Sequence, residues 1–205
     1  MGGVRWDELF VDLEALGAAV HRSELDAEVA DRVRRERALI PLRARLAGLA
    51  ATQSLDPGGS PVGFRLLGGL ALEGRVTDVG ADWCVVVDGV GRSWLIPLTA
   101  LQRIDGMAWA ATSGQEMGRR FRFGFAIRAL ARDRAVVQVH DITGWHASGT
   151  IDAVGADHFD ISEHPIDLPR RAANVRSRHV VPFSAVAAIA DHTASLGSGA
   201  GPSWG

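Results

Sequence analysis

The sequence predicts an α+β protein that is mainly β, with an N-terminal helical region followed by two tandem small β-barrels related by internal duplication. Three observations carry this. Apolar residues recur at helical spacing through residues 5–50. A stretch rich in Gly, Pro and Ser, ATQSLDPGGSP at 51–61, breaks that pattern. Beyond it the chain repeats itself, with short apolar runs parted by glycine turns. The expected layout is a helical region over 1–50, a linker over 51–61, a first barrel over 62–107, a loop and connecting helix over 108–134, a second barrel over 135–190 and a disordered tail over 191–205.

In the helical region the apolar positions are Trp6, Leu9, Phe10, Leu13, Leu16 and Val20, then Leu25, Val29, Val33 and Ile40. Gly17 weakens the helix and Ser23 with Asp26 resembles a capping box, so a break is expected near 17–23. Residues 1–31 hold eight acids and two bases, whereas 32–50 hold one acid and six bases. Acid first and base last suits the helix dipole, and Glu28 with Arg32 adds an i, i+4 pair. These charges read either as a solvated helix face or as a hairpin or antiparallel dimer that sets the acidic half against the basic half. Pro41 should end the second helix near Leu39 and Ile40, leaving RLAGLA as a short further turn or two.

Shifted by 75 residues, Gly69–Asp82 (GLALEGRVTDVGAD) falls on Gly144–Asp157 (GWHASGTIDAVGAD), keeping a Gly-x4-Gly spacing and the string Val-Gly-Ala-Asp. At a shift of 85, Trp94–Ile104 falls on His179–Ile189 with Pro97 on Pro182, and the ten extra residues form a loop, PIDLPRRAAN. A helix precedes each copy, the second read from RRFRFGFAIRALARDRA and ending near Arg134. The turn glycines Gly80 and Gly155 are expected at positive φ. Asp82 and Asp157 close the same turns, either capping them through backbone N–H groups or presenting a carboxylate to a ligand.

A short helix followed by about five bent strands, with Gly74 and Val76, and Gly149 and Ile151, opening the second strand of each copy, resembles the Sm-like (LSm/Hfq-type) small barrel. The resemblance covers about 43–107 and 119–190 and implies a barrel that joins edge strand to edge strand. Six and ten residues after that glycine the family carries the Asp and Asn that contact RNA bases. This chain has Gly80 and Cys84, then Gly155 and Phe159, and Pro97-Leu98 and Pro182-Phe183 replace the family's later Arg-Gly. The family's RNA-contact residues are therefore not retained. Another SH3-like small barrel is the nearest structural competitor.

Composition narrows the function. At 205 residues the chain has room for one large domain or two small ones, and its 47% hydrophobic content excludes disorder throughout. The 22 basic residues, all Arg, against 24 acidic ones argue against a protein devoted to phosphate backbones, while leaving a local patch open. A single cysteine, Cys84, excludes a disulfide framework and fits a reducing compartment. No apolar run reaches the roughly 18 residues of a membrane span, and the start MGGVRWDELF lacks the order of a signal peptide. A cytoplasmic protein with no membrane partner is expected.

For chemistry, Cys84 sits in an apolar strand and neither a Gly-x-Ser-x-Gly nor a Walker loop is present, so no catalytic residues and no cofactor are expected. His140, His146, His158, His164 and His179 crowd the second copy without a tight His-x3-His pair, so no metal is expected either. The basic candidates for RNA are Arg119, Arg120, Arg122, Arg128 and Arg132, interleaved with Phe121, Phe123 and Phe125, together with Arg170 and Arg171 on the inserted loop. Trp83 and its counterpart His158 either stack nucleobases or pack at the barrel ends, as do Trp94 and His179. The stripe Leu9, Leu13, Leu16 and Val20 needs burial and marks an interaction face. The leading expectation is a non-catalytic assembly module acting through protein–protein contacts, and the second is an RNA-binding protein. A homo-oligomer built through the helices or the barrel edges is expected.

Overall fold

The computed structural model describes residues 4–56, 58–109 and 121–192, the side chains of 4–15, 18 and 19 excepted. The chain divides into two compact units between Pro41 and Leu42. The first holds α1 (Val4–Ala38), one uninterrupted helix. The break expected at 17–23, and with it the hairpin, is therefore absent. One interior glycine costs a helix about 1 kcal/mol, and the good helix formers on either side of Gly17 outweigh it. α1 stops where expected, because Pro41 lacks an N–H and keeps Ile40 out of helical φ/ψ. Arg35 and Arg37 occupy its last turn, where the dipole favours cations.

The second unit opens with α2 (Leu42–Leu55), longer than the short turn expected and running well into the stretch read as linker. Its fully buried Leu46 packs among Val62, Phe64, Leu66 and Val76. Arg75 fastens the far end by donating to the carbonyl of Gln53 in the last turn and to those of Asp56 and Gly59 just beyond it. The buried Gln53 accepts from Val76 N–H at 2.8 Å. These ties make residues 42–55 part of the sheet's core.

Ten antiparallel strands follow: β1 (Val62–Leu66), β2 (Ala71–Val79), β3 (Trp83–Asp88), β4 (Ser93–Pro97), β5 (Leu101–Asp105), β6 (Val136–Asp141), β7 (His146–Val154), β8 (His158–Glu163), β9 (Ser177–Pro182) and β10 (Val186–Asp191), with α3 (Phe123–Arg132) between β5 and β6. They form one sheet in the order β5-β1-β2-β3-β4-β10-β6-β7-β8-β9. The architecture is α+β, with a helical N-terminus and an open ten-stranded sheet. Two separate closed barrels are thus corrected to one continuous sheet, because β4 pairs with β10, Leu95 facing Ile189 and Trp94 facing Ala190.

Each half nevertheless keeps one strand order and one register. Val62 faces Gly74 as Val137 faces Gly149, and Trp83 faces Pro97 as His158 faces Pro182. Both second strands bulge at matched places, Val76/Asp78 and Ile151/Ala153. α2 packs on β2 and α3 on β7. The matched glycines mark close strand approach: a Cβ would sit 2.4 Å from Val87 O at Gly74 and 2.0 Å from Ser162 O at Gly149.

Two cores share the central strands. Trp83, Val85, Leu95, Val186 and Ile189 enter one, with α3 and the inward residues of β6–β9. Cys84, Val86, Trp94, Ile96, Ala188 and Ala190 enter the other, with Leu46 and β1–β2. Alternation along a strand sends neighbours to opposite faces, so β3, β4 and β10 are buried on both.

Gly80 and Gly155 do not adopt positive φ, which among the described glycines occurs instead at Gly68, Gly69, Gly91, Gly106 and Gly144. Their side chains are excluded by rings: a Cβ would lie 2.2 Å from the Trp83 ring at Gly80 and 2.5 Å from the His158 ring at Gly155. Trp83 is buried and its indole N–H is held by Phe121 O, whereas the His158 side chain is 44% exposed and bonded to the adjacent, exposed Asp157, a lighter restraint on its ring. Gly80→Ala should therefore cost about 1–3 kcal/mol, and Gly155→Ala clearly less. Urea unfolding of the two variants measures this, and equal losses would show that the rings do not set the requirement.

Candidate functional site

α3 spans the two Val-Gly-Ala-Asp turns. On the first, Asp82 Oδ1 accepts from Phe123 N–H at 2.7 Å, capping the helix start, while Phe121 O accepts from Ala81 N–H and from the Trp83 indole, both at 3.0 Å. On the second, Arg128 donates to Gly155 O at 2.8 Å. The two turns also receive matched backbone bonds, Leu98 N–H to Asp82 O at 2.8 Å and Phe183 N–H to Asp157 O at 2.7 Å. Asp157 takes the His158 Nδ1 at 2.9 Å, and that hydrogen bond holds its carboxyl below the usual range. Asp82 and Asp157 are thus engaged in local hydrogen bonds.

The basic and aromatic candidates separate. Trp83, 4% exposed and locked in a core, cannot stack a base. Phe121 and Phe125 can: their rings stack at 4.1 Å and are 41% and 44% exposed, with Arg122 and Arg128 exposed alongside them in sequence. Phe123, between them, is buried against the edge of Phe183. Arg119 and Arg120 lie outside the described residues. Arg132 pairs with Asp133, and Arg170 is drawn to Asp152, where it also reaches Ser162 and pins the inserted loop to β7 and β8. Arg171 is exposed. Leu16 and Val20 are exposed on α1, while the Leu9 and Leu13 side chains are outside the described set, as is the tail beyond His192.

One cluster was not foreseen as a unit. His179 Nε2 lies 2.9 Å from both Ser177 Oγ and Glu163 Oε2, and Ser177 also bonds Glu163. Those bonds, Ser177's first, hold the Glu163 carboxyl below the usual range. A serine nucleophile needs a base whose one ring nitrogen takes the hydroxyl proton while the other is oriented by the acid. Here one nitrogen meets both, so the set orders β8 against β9 rather than activating a serine. Its counterpart in the first half is Trp94 donating to Asp88 at 2.9 Å. Cys84 is fully buried, which pushes its thiol up to about 12 and leaves it inert. Among the described residues, no group of three or more His, Cys, Asp or Glu is arranged to hold a metal ion, and no helix is long and apolar enough to cross a membrane.

Histidines do gather at the junction of the halves. His140 stacks on His146 at 5.6 Å and lies 5.6 Å from Trp94, and Arg92 sits over the same indole at 5.8 Å. Burial, then the neighbouring His146, His192 and Arg92, lowers the His140 pKa. Burial and then Arg92 lower that of His192, outweighing Asp191 and Asp88.

No family model, no curated protein and no solved structure matches the chain. Its own geometry carries the functional reading.

The junction histidines make stability depend on mild acid. Above the ordinary histidine value of 6.5 both folded and unfolded chains are neutral there and nothing is lost. Below it the unfolded chain takes up protons that the folded chain resists, so stability falls as pH drops from 6.5 toward the lowered folded values. Urea unfolding between pH 7.5 and 5 should show this loss, and the double variant His140→Asn, His192→Asn should flatten it. A slope unchanged in that variant would place the effect elsewhere.

Proposed function

We propose that this chain is a non-catalytic assembly module of two duplicated Sm-like halves, acting through protein–protein contacts, with another copy of itself as first partner. The observation that carries the reading is that, among the described residues, each end of the sheet, β5 and β9, has an edge without a partner strand, and the residues of these edges match the two strands already joined inside the molecule. Carrying the β4–β10 register across the repeat sets Val180 of one copy opposite Ile104 of the next, and His179 opposite Asp105. Leu95, the counterpart of Val180, is 6% exposed inside the molecule, whereas Val180 is 67% exposed at the free edge. Exposed apolar edges are sites of strand addition, and a head-to-tail contact of this kind closes a ring or extends a filament. A cytoplasmic setting fits the single buried thiol, and no cofactor or metal enters the reading.

A second reading, RNA binding, is favoured by the exposed Phe121–Phe125 stack beside Arg122 and Arg128. A base stacked there would gain about 1–3 kcal/mol.

Sedimentation of the full chain at roughly the tens of micromolar that suit standard interfaces should show an oligomer that Val180→Asp reduces. A monomeric wild-type protein overturns self-assembly. An oligomer untouched by Val180→Asp but lost in the double variant Leu16→Glu, Val20→Glu would move the contact to α1. Single-stranded RNA titrated at two salt concentrations addresses the second reading, since phosphate contacts must weaken with salt. Absence of binding at low salt removes it, and salt-dependent binding weakened by Phe125→Ala would establish it.

A further inference from the structure

The inserted loop of the second half walls a cavity. β3 passes to β4 through residues 89–92 alone, whereas β8 reaches β9 through residues 164–176. That longer connection is fastened along its length. His164, 1% exposed, donates from Nδ1 to Pro165 O at 2.9 Å and accepts the Thr150 hydroxyl at Nε2 at 2.8 Å. Further on, Arg170 reaches Asp152 on β7 and Asn174 donates to Pro169 O, both at 2.8 Å, and Arg176 N–H closes the loop on Glu163 O at the same distance. Between the ends of this loop and the strands β6 and β7 lies a cavity of about 300 Å³.

Its wall carries polar groups of both signs. Gln138 faces Ser148 across the β6–β7 ladder, so their side chains leave the sheet on one face, and at the matched place in the first half Gly63 faces Glu73. Arg176 borders the same cavity from the loop and Glu163 from the end of β8. Among the described residues, the Gln138 amide, the Ser148 hydroxyl and the Arg176 guanidinium form no hydrogen bond, and each residue is half-buried or exposed. The Glu163 carboxylate meets Ser177 and His179 at Oε2, which leaves Oε1 available. The bonds from Ser177 and His179 hold that carboxyl below the usual range, and the charge of Arg176 adds to them without an ion pair forming between the two residues. Pro165 and Ile166 give the wall an apolar part.

Ligand sites run from about 300 Å³ upward, so this cavity suits a small molecule. A cation and an anion that share one wall without meeting call for a ligand that bears both charges. We propose that the cavity binds a small zwitterion, an α-amino acid with a short aliphatic side chain. Arg176 takes the carboxylate through its planar fork of donors, and Glu163 Oε1 accepts from the ammonium. Gln138 and Ser148 supply a further donor and acceptor each, and Pro165 and Ile166 receive the aliphatic chain. A bare anion would be opposed by Glu163 and a bare cation by Arg176, which is how the pair selects a zwitterion. The cavity is complete within one chain, so the site stands apart from self-assembly.

L-valine is the probe, titrated at neutral pH and constant ionic strength into the isotope-labelled full chain, with the backbone amide signals followed by NMR. Saturable shifts gathered at Gln138, Ser148, Ile166 and Arg176 are expected. Valinamide, which lacks the carboxylate, and isovalerate, which lacks the ammonium, should each bind weaker by about tenfold or more, the worth of one charge-assisted hydrogen bond. These two analogues test each charge without altering the fold. Arg176→Gln, a change at an exposed side chain, should weaken valine binding by a similar factor. No saturable shift at these amides, an analogue of single charge that binds as tightly as valine, or an Arg176→Gln protein that binds valine as the wild type does would each overturn the proposal.

Discussion

The pairing of β4 with β10 is the constraint on which the rest of the structure depends. Only two residue pairs define its register, Leu95 with Ile189 and Trp94 with Ala190. A hydrogen bond contributes a net of about 0.5–1.5 kcal/mol, so the ladder alone is a modest tie. Burial decides the matter. Ile96 and Ile189 are at most 1% exposed and Leu95 6%, and burying each such side chain is worth about 1.5–3 kcal/mol. Because β3, β4 and β10 feed alternate residues into two cores, neither half can leave the other without exposing both. The halves repeat in register and bulge, yet they are not self-sufficient.

Much of this was legible in the residues, and what was not has physical causes. The repeat showed in Val-Gly-Ala-Asp and in Pro97 and Pro182 because turns and close approaches restrict residue choice locally. The shared sheet did not. A strand buried on both faces loses its alternation, so WCVVV and WLIP read as strands without revealing that they face two cores. A pairing between residues about ninety positions apart leaves no local mark. The end of α2 was hidden similarly, since ATQSL carries little apolar signal, and what holds it is Arg75, twenty-two residues beyond Gln53. Gly80 and Gly155 are not held by the positive φ that the turn sequence suggests. Their requirement comes from Trp83 and His158, three residues on, rather than from φ.

The candidate surface was legible in composition and obscure in orientation. Phe121, Phe123 and Phe125 alternate in sequence, but the helix beginning at Phe123 turns the middle ring inward and leaves the outer two stacked at the surface. Trp83, which looked equally available, is clasped by the segment that leads into that helix. Arg170 looked like part of a basic patch, and its partner Asp152 lies at the β7 bulge, a position no spacing rule reveals. Arg92, His140 and His192 come from the turn before β4, from β6 and from just past β10, and only the pairing of the two halves brings those segments together.

Native-state hydrogen exchange tests the central claim, that two shared cores make the ten strands one cooperative unit. It reads the opening free energy of each amide. The amides of Val76, inside the first half, and of Ile151, its counterpart in the second, should exchange through one opening of the same free energy and the same denaturant dependence. Two distinct openings, with one half exchanging while the other remains protected, would contradict the account and show the halves to be separate barrels resting edge to edge.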